Sequence, residues 1–117
     1  MHELSICQAL MEQVARVAAE HGARRVLSVT VRIGPLAGVE PALLESAFPL
    51  ASAGTMAADS RLIVEHSRVR VRCLQCAAVS EVESSSLLCG TCGGWRVEVL
   101  CGEELLLASV ELERDDD

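Results

Sequence analysis

Apolar residues recur at helical spacing from the start of the chain. Ile6, Leu10, Val14 and Val17 form a stripe flanked by Cys7, Met11 and Ala18, while Gln8, Glu12, Arg16 and Glu20 fall on the other side. The spacing predicts an amphipathic helix over 4–21, stopped by Gly22. His21 falls on the same stripe and is expected to pack near the helix end. The period then changes to two. Leu27, Val29, Val31 and Ile33 alternate with Ser28, Thr30 and Arg32, which predicts a strand over 25–33 with one buried face, ended by Gly34-Pro35. A second helix begins at Glu40-Pro41, since proline suits the first helical position. Its apolar arc is Leu43, Leu44, Ala47, Phe48, Leu50 and Ala51. Pro49 on the opposite arc should kink it or end it early, with Gly54 as the latest stop.

Alternation returns over 61–72. Leu62, Val64 and His66 share one parity and Val69 and Val71 the other. The switch predicts a bulge or bend near His66-Ser67, the exit into a second module. His66 reads as an edge residue with its ring half in water. Val97 and Val99 alternate with Arg96 and Glu98 as a short strand, and Gly102-Glu103 makes a turn. Leu106, Ala108, Val110 and Leu112 then form a return strand, expected to pair with the 61–72 strand and rejoin the first sheet. The fold class is therefore α+β: a small three-stranded sheet with two helices, plus an inserted zinc-ribbon-like β module. The domain boundaries expected are 1–68 with 102–117, and 69–101 between them.

The strongest local signal lies in that insert. Cys73-Leu-Gln-Cys76 and Cys89-Gly-Thr-Cys92 are two C-x-x-C knuckles twelve residues apart. Thiolates at this spacing can close a tetrahedral Zn(II) site, and Gly90, Gly93 and Gly94 give the second knuckle the freedom its turn needs. The segment between the knuckles has too little apolar matter to fold alone, so metal binding supplies the missing free energy, roughly 10 kcal/mol or more for structural sites. A closed four-thiolate site offers no open position for catalysis. Redox disulfides are the rival reading, but no thioredoxin-like context surrounds either knuckle. A nucleic-acid zinc ribbon is the other, with Arg68, Arg70, Arg72 and Arg96 as its basic patch.

Composition narrows these options. The chain has 117 residues, one ordinary domain or a small domain with a metal-stapled module. Phe48 and Trp95 are the only aromatics, so the core must be aliphatic. The net charge of −7 argues against sequence-independent nucleic-acid binding. No secretory signal or membrane span is visible, so a cytoplasmic protein is expected, and its six cysteines read as metal ligands or thiols before disulfides. Cys7 reads as a small buried residue more readily than as a soft ligand, and Cys101 as a buried or idle thiol. No nucleophile–base pair points to an enzyme.

The terminus Met1-His2-Glu3 carries different chemistry. An imidazole beside an α-amine, with one deprotonatable amide, can close fused chelate rings around one cation. The square-planar set that results suits Ni(II) or Cu(II). An amphipathic helix directly behind it limits fraying, and Glu3 sits at the positive end of the helix dipole. Glu40 is a poor helix cap, since Ser, Thr, Asp and Asn are preferred there. A poor cap can mean nothing, or it can mean that the carboxylate is wanted for something else.

Taken together, these pieces resemble the HypA/HybF family of hydrogenase nickel-insertion accessory proteins. The carrying residues are Met1-His2-Glu3-Leu4-Ser5-Ile6-Cys7, His21-Gly22-Ala23, Ile33-Gly34-Pro35-Leu36, Gly38-Val39-Glu40 and the two cysteine knuckles. The resemblance covers nearly the whole chain, and Pro49 departs from it. It implies a nickel metallochaperone, not an enzyme. His2 would bind Ni(II), helped by Met1 and Glu3, with Glu40 near the nickel end. Cys73, Cys76, Cys89 and Cys92 would hold structural Zn(II). The implied partners are a nickel-handling GTPase and the large subunit of [NiFe] hydrogenase, with urease as a further client in some relatives. A homodimer, by strand exchange or shared nickel, stays open. Neither nucleic acid nor a membrane is expected as a partner.

Overall fold

The computed structural model describes residues 2–115. They form two helices and six strands, grouped into two compact units. Unit 1 takes the residues up to Val31, Val39–Glu65, and those from Leu106 on; unit 2 takes Arg32–Gly38 and His66–Leu105.

In unit 1, helix α1 runs Glu3–Glu20. It buries Glu3, Cys7, Leu10, Met11, Val14 and Ala18, the stripe the spacing predicts with Glu3 added at its head. Gly22, at φ +61°, turns the chain out of the helix. His21 sits at the C-cap and is exposed rather than packed. Ala18 already fills the last buried place on the stripe. Helix α2 runs Pro41–Ser52 and continues through Pro49, so the early stop expected there does not occur. Pro49 and Glu45, whose carbonyl loses its helical donor, both lie at the solvent side, where the freed group is open to water. Leu44 and Phe48 carry the buried face of α2. The Cys7 thiol reaches the Leu44 carbonyl at 3.5 Å and ties the two helices together.

Strands β1 (Ala23–Ile33), β2 (Arg61–His66) and β6 (Leu105–Arg114) form a sheet in the order β2-β1-β6. The return strand therefore pairs with β1 and not with the 61–66 strand. The reason is burial. Val29 and Val31 are fully buried, and Ser28 and Thr30 on the other face are only 6% and 8% exposed. A strand covered on both faces takes the centre, while β2 and β6, half-exposed, take the edges. Ser28 was expected to meet solvent. Its hydroxyl instead donates to the Glu111 carboxylate at 3.0 Å, as a buried polar group requires. Burying aliphatic side chains such as Val14, Val29, Val31 and Leu44 contributes about 1.5–3 kcal/mol each.

Unit 2 holds β3 (Val69–Cys73), β4 (Val79–Val82) and β5 (Val97–Cys101), in the order β4-β3-β5 with both pairings antiparallel. The bend expected at His66-Ser67 separates β2 from β3. Val69, Val71 and Cys73 face inward, while Arg70 and Arg72 face water. Where chain segments enter and leave this unit they are clasped. Gly34 N–H donates to Glu104 O and Leu36 N–H to Gly102 O, both at 2.8 Å, and Ser67 N–H to Ile33 O at 3.1 Å. Gly34 lies so close to the Gly102 carbonyl that a Cβ has no room. Among the described residues no helix is long and apolar enough to cross a membrane.

Candidate metal centres

Each knuckle of unit 2 is a tight turn built on its first cysteine. In the first, the N–H groups of Gln75 and Cys76 point at Cys73 Sγ (3.4 and 3.3 Å), and Ala77 N–H bonds to Cys73 O (3.0 Å). In the second, Thr91 and Cys92 point at Cys89 Sγ (both 3.3 Å), and Gly93 N–H bonds to Cys89 O (2.9 Å). The two turns thus repeat one hydrogen-bond pattern. Both also place the residue after the second cysteine in the left-handed region, Ala77 at φ 66° and Gly93 at φ 75°. β3 ends at Cys73 and presents the first turn, while the bond from Cys89 N–H to Gly94 O (2.8 Å) closes the second.

The four ligating sulfurs lie within 4.8 Å of one another. Cys73 is 3.7 Å from Cys92 and Cys76 is 3.6 Å from Cys89. A tetrahedral site with metal–sulfur bonds of about 2.3 Å needs sulfurs about 3.8 Å apart, so the set fits a metal ion. The protonation pattern also fits. The N–H of Cys92, then that of Thr91, pulls the Cys89 thiol down to about 6, and the N–H of Cys76, then Gln75, lowers Cys73. For Cys76 the Ala78 N–H also lowers, but the neighbouring sulfurs of Cys89 and Cys73, together with burial, outweigh it and push the thiol up to about 12. Cys92 is raised in the same way by Cys73 and Cys89, against the Gly94 N–H. Four thiolates this close repel one another. Cys89 ionises most readily, and a divalent cation would favour the thiolate form of all four.

The first residues of α1 form the second cluster. His2 is the N-cap of α1 and makes no side-chain cap bond. Its Nε2 stands 3.7 Å from Glu3 Oε2; the His2 side chain is 59% exposed and that of Glu3 only 10%. The same Glu3 oxygen accepts the Glu40 N–H at 3.4 Å. Its own N–H holds the Glu3 carboxyl below the usual range against the opposing effect of burial, with help from Glu40 N–H and His2. Glu40 caps α2 without a side-chain bond, and its side chain is exposed. The structure thus brings His2, Glu3 and the Glu40 backbone together. Met1 lies outside the described residues. Cys7, one turn along, is buried, and burial raises its thiol.

The bridging place of Glu3 was missed in the sequence, although a signal was there. Residues 3, 7, 10 and 14 keep helical spacing, so Glu3 heads the buried stripe. The β4 strand was missed as well, because Val79 and Val82 are its only large apolar residues.

A small α+β protein with a built four-sulfur metal site and a histidine–carboxylate pair at its first helix belongs among metal-handling proteins. The chain matches the family model described as "Hydrogenase/urease nickel incorporation, metallochaperone, hypA" over residues 1–112, and it belongs to that family. The hydrogenase maturation factor HypA of Nitrosospira multiformis is 52% identical over 112 residues, covering 96% of this chain and 97% of the relative. That of Aquifex aeolicus is 41% identical over 115 residues, covering 98% and 100%. A solution structure of HypA superposes with a TM-score of 0.73 at 25% identity over 96% of each chain. The Ni metallochaperone HypA of Helicobacter pylori has the same fold, with a TM-score of 0.71 at 24% identity over 98% of this chain and 100% of that one.

Proposed function

We propose that this chain carries Ni(II) at its N-terminus and hands it to the large subunit of [NiFe] hydrogenase during maturation, working with a nickel-handling GTPase in the cytoplasm. The observation that carries the reading is the pairing of an exposed His2 imidazole with the Glu3 carboxylate at the head of a packed helix. His2 is the principal ligand, the α-amine of Met1 and backbone nitrogens complete the set, and Glu3 contributes charge. Glu40 lies next to this cluster through its backbone and serves as a further carboxylate. Cys73, Cys76, Cys89 and Cys92 hold Zn(II) as a structural ion. The zinc-binding domain is 69–101, and 1–68 with 102–117 is the nickel-binding domain. Urease is the alternative client.

Ligand type separates the two metals. Nitrogen donors in a half-open shell suit a cation that is passed on, whereas four thiolates in a closed site retain theirs. Nickel titration of the native chain, His2→Ala and a chain extended before Met1 tests the reading. The native chain binds, and the other two lose binding by tenfold or more, with zinc content unchanged at about one per chain. Equal nickel binding by all three removes the N-terminus as the site.

A further inference from the structure

The outer face of the β4-β3-β5 sheet has a composition that neither metal site uses. β3 presents Arg70 and Arg72 outward, with Arg68 just before the strand. Arg72 pairs with Glu98 at 2.9 Å and Arg68 with Glu81 at 3.4 Å. Arg70, in register with Glu81, has no ion pair or hydrogen bond among the described residues. At the knuckle end of the same face, Leu74 N–H bonds to Arg96 O at 2.9 Å. There Leu74 is 64% exposed and Trp95 72% exposed, with the Arg96 guanidinium 5.3 Å from the indole centre. The only tryptophan of an aromatic-poor chain is therefore left exposed beside Arg96, which like Arg70 has no carboxylate partner among the described residues.

Exposed single apolar residues are ordinary. Tryptophan and arginine grouped on one rigid face are the residues that dominate binding energy at protein interfaces. Charge decides the occupant. Unit 2 holds five arginines and five glutamates, so the net charge of −7 resides wholly in unit 1. A densely charged phosphate backbone is disfavoured by the net charge of −7, and Glu81 and Glu98 are each already paired with one arginine of the face. They leave room for discrete carboxylates at Arg70 and Arg96, with an apolar group on Leu74 and Trp95.

We propose that this face, with Arg70 at its centre and Leu74 and Trp95 at its knuckle end, docks an acidic peptide segment that carries an apolar side chain. The face belongs to the same turns that hold the cysteines, since Leu74 lies between Cys73 and Cys76. The docking surface therefore exists only while the metal module is folded.

The test uses the full zinc-loaded chain and a synthetic peptide of alternating glutamate and leucine. Binding is read from Trp95 emission and from the anisotropy of a label on the peptide. Saturable binding with a blue shift of Trp95 is expected. Arg70→Glu should weaken it about tenfold or more, and Trp95→Ala, read by anisotropy, by a similar factor. Arg70→Gln introduces no repulsion with Glu81 and should give a smaller loss in the same direction. Arg61→Glu in unit 1 is the control and should bind as the native chain does. Zinc removal should abolish binding. The proposal is overturned by no binding, by equal binding of a lysine–leucine peptide, or by an equal loss in Arg61→Glu. Tighter binding of single-stranded oligothymidylate, lost in Arg70→Glu, would overturn it in favour of nucleic acid.

Discussion

Ala77 and Gly93 each follow the second cysteine of a knuckle, at φ 66° and 75°, and they invite an exchange. The left-handed region costs an L residue about 1–2 kcal/mol, and glycine almost nothing. Against this, glycine costs about 0.4–1 kcal/mol through its greater freedom in the unfolded chain. The difference makes Ala77→Gly stabilising by about 0.5–1 kcal/mol and Gly93→Ala destabilising by a similar amount. No packing effect intrudes at position 93, where an added Cβ meets no atom within 4 Å. Folding of such a module and metal binding are one equilibrium, so the change is read as zinc affinity. At about 1.4 kcal/mol per tenfold, Ala77→Gly should bind zinc about two- to fivefold more tightly and Gly93→Ala as much more weakly. Competition against a colorimetric chelator at fixed pH measures both. The double variant should return near the native value, because the two turns contribute separately. Weaker zinc binding by Ala77→Gly, or no change in Gly93→Ala, refutes the reasoning.

Gly34→Ala should destabilise the zinc-loaded chain by about 3 kcal/mol, from overpacking and two strained hydrogen bonds. Its Cβ would collide with the Gly102 carbonyl and stand 2.8 Å from Glu104 Oε1; urea unfolding with excess zinc checks this, and a loss under about 1 kcal/mol contradicts the clasp. Zinc loading near neutral pH should release about two to three protons. Cys89 titrates at about 6 and is already a thiolate, Cys73 is lowered from its usual value, and Cys76 at about 12 and Cys92 above its usual value remain thiols. Calorimetry in buffers of different ionisation enthalpy counts the protons, and four would erase the asymmetry. Glu3 is depressed below 4.5, so its contribution is present above that pH and lost as pH falls through the folded value. The stability gap between native and Glu3→Gln should be open at neutral pH and closed in strong acid, as followed by urea unfolding; a gap independent of pH removes Glu3 as a structural carboxylate.

Much of this was readable from periodicity. The stripe from Cys7 to Ala18 and the alternation from Leu27 to Ile33 each report one buried face, and α1 and β1 follow. The cysteine knuckles are legible because metal geometry dictates their spacing. Strand order was not. Which strand takes the centre depends on what covers the second face of β1, and Ser28 and Thr30 read as solvent-facing until Glu111 from a distant part of the chain meets Ser28. β4 escaped for the opposite reason: it is held by β3 through its backbone, with little apolar signal of its own. At the N-terminus the poor cap at Glu40 is visible in the sequence, but not its link to Glu3, whose carboxylate accepts the Glu40 N–H across a separation of 37 residues.

The place of β6 also sets an order in time. The chain is made from its N-terminus, so α1, β1, α2 and β2 emerge before the cysteine module, and β6 emerges last. One edge of β1 stays unpaired until Leu105–Arg114 arrives. Glu111 and Glu113 then close on Ser28, Arg24 and Arg25. The four-cysteine module is thus synthesised before the helix bearing His2 has its finished sheet.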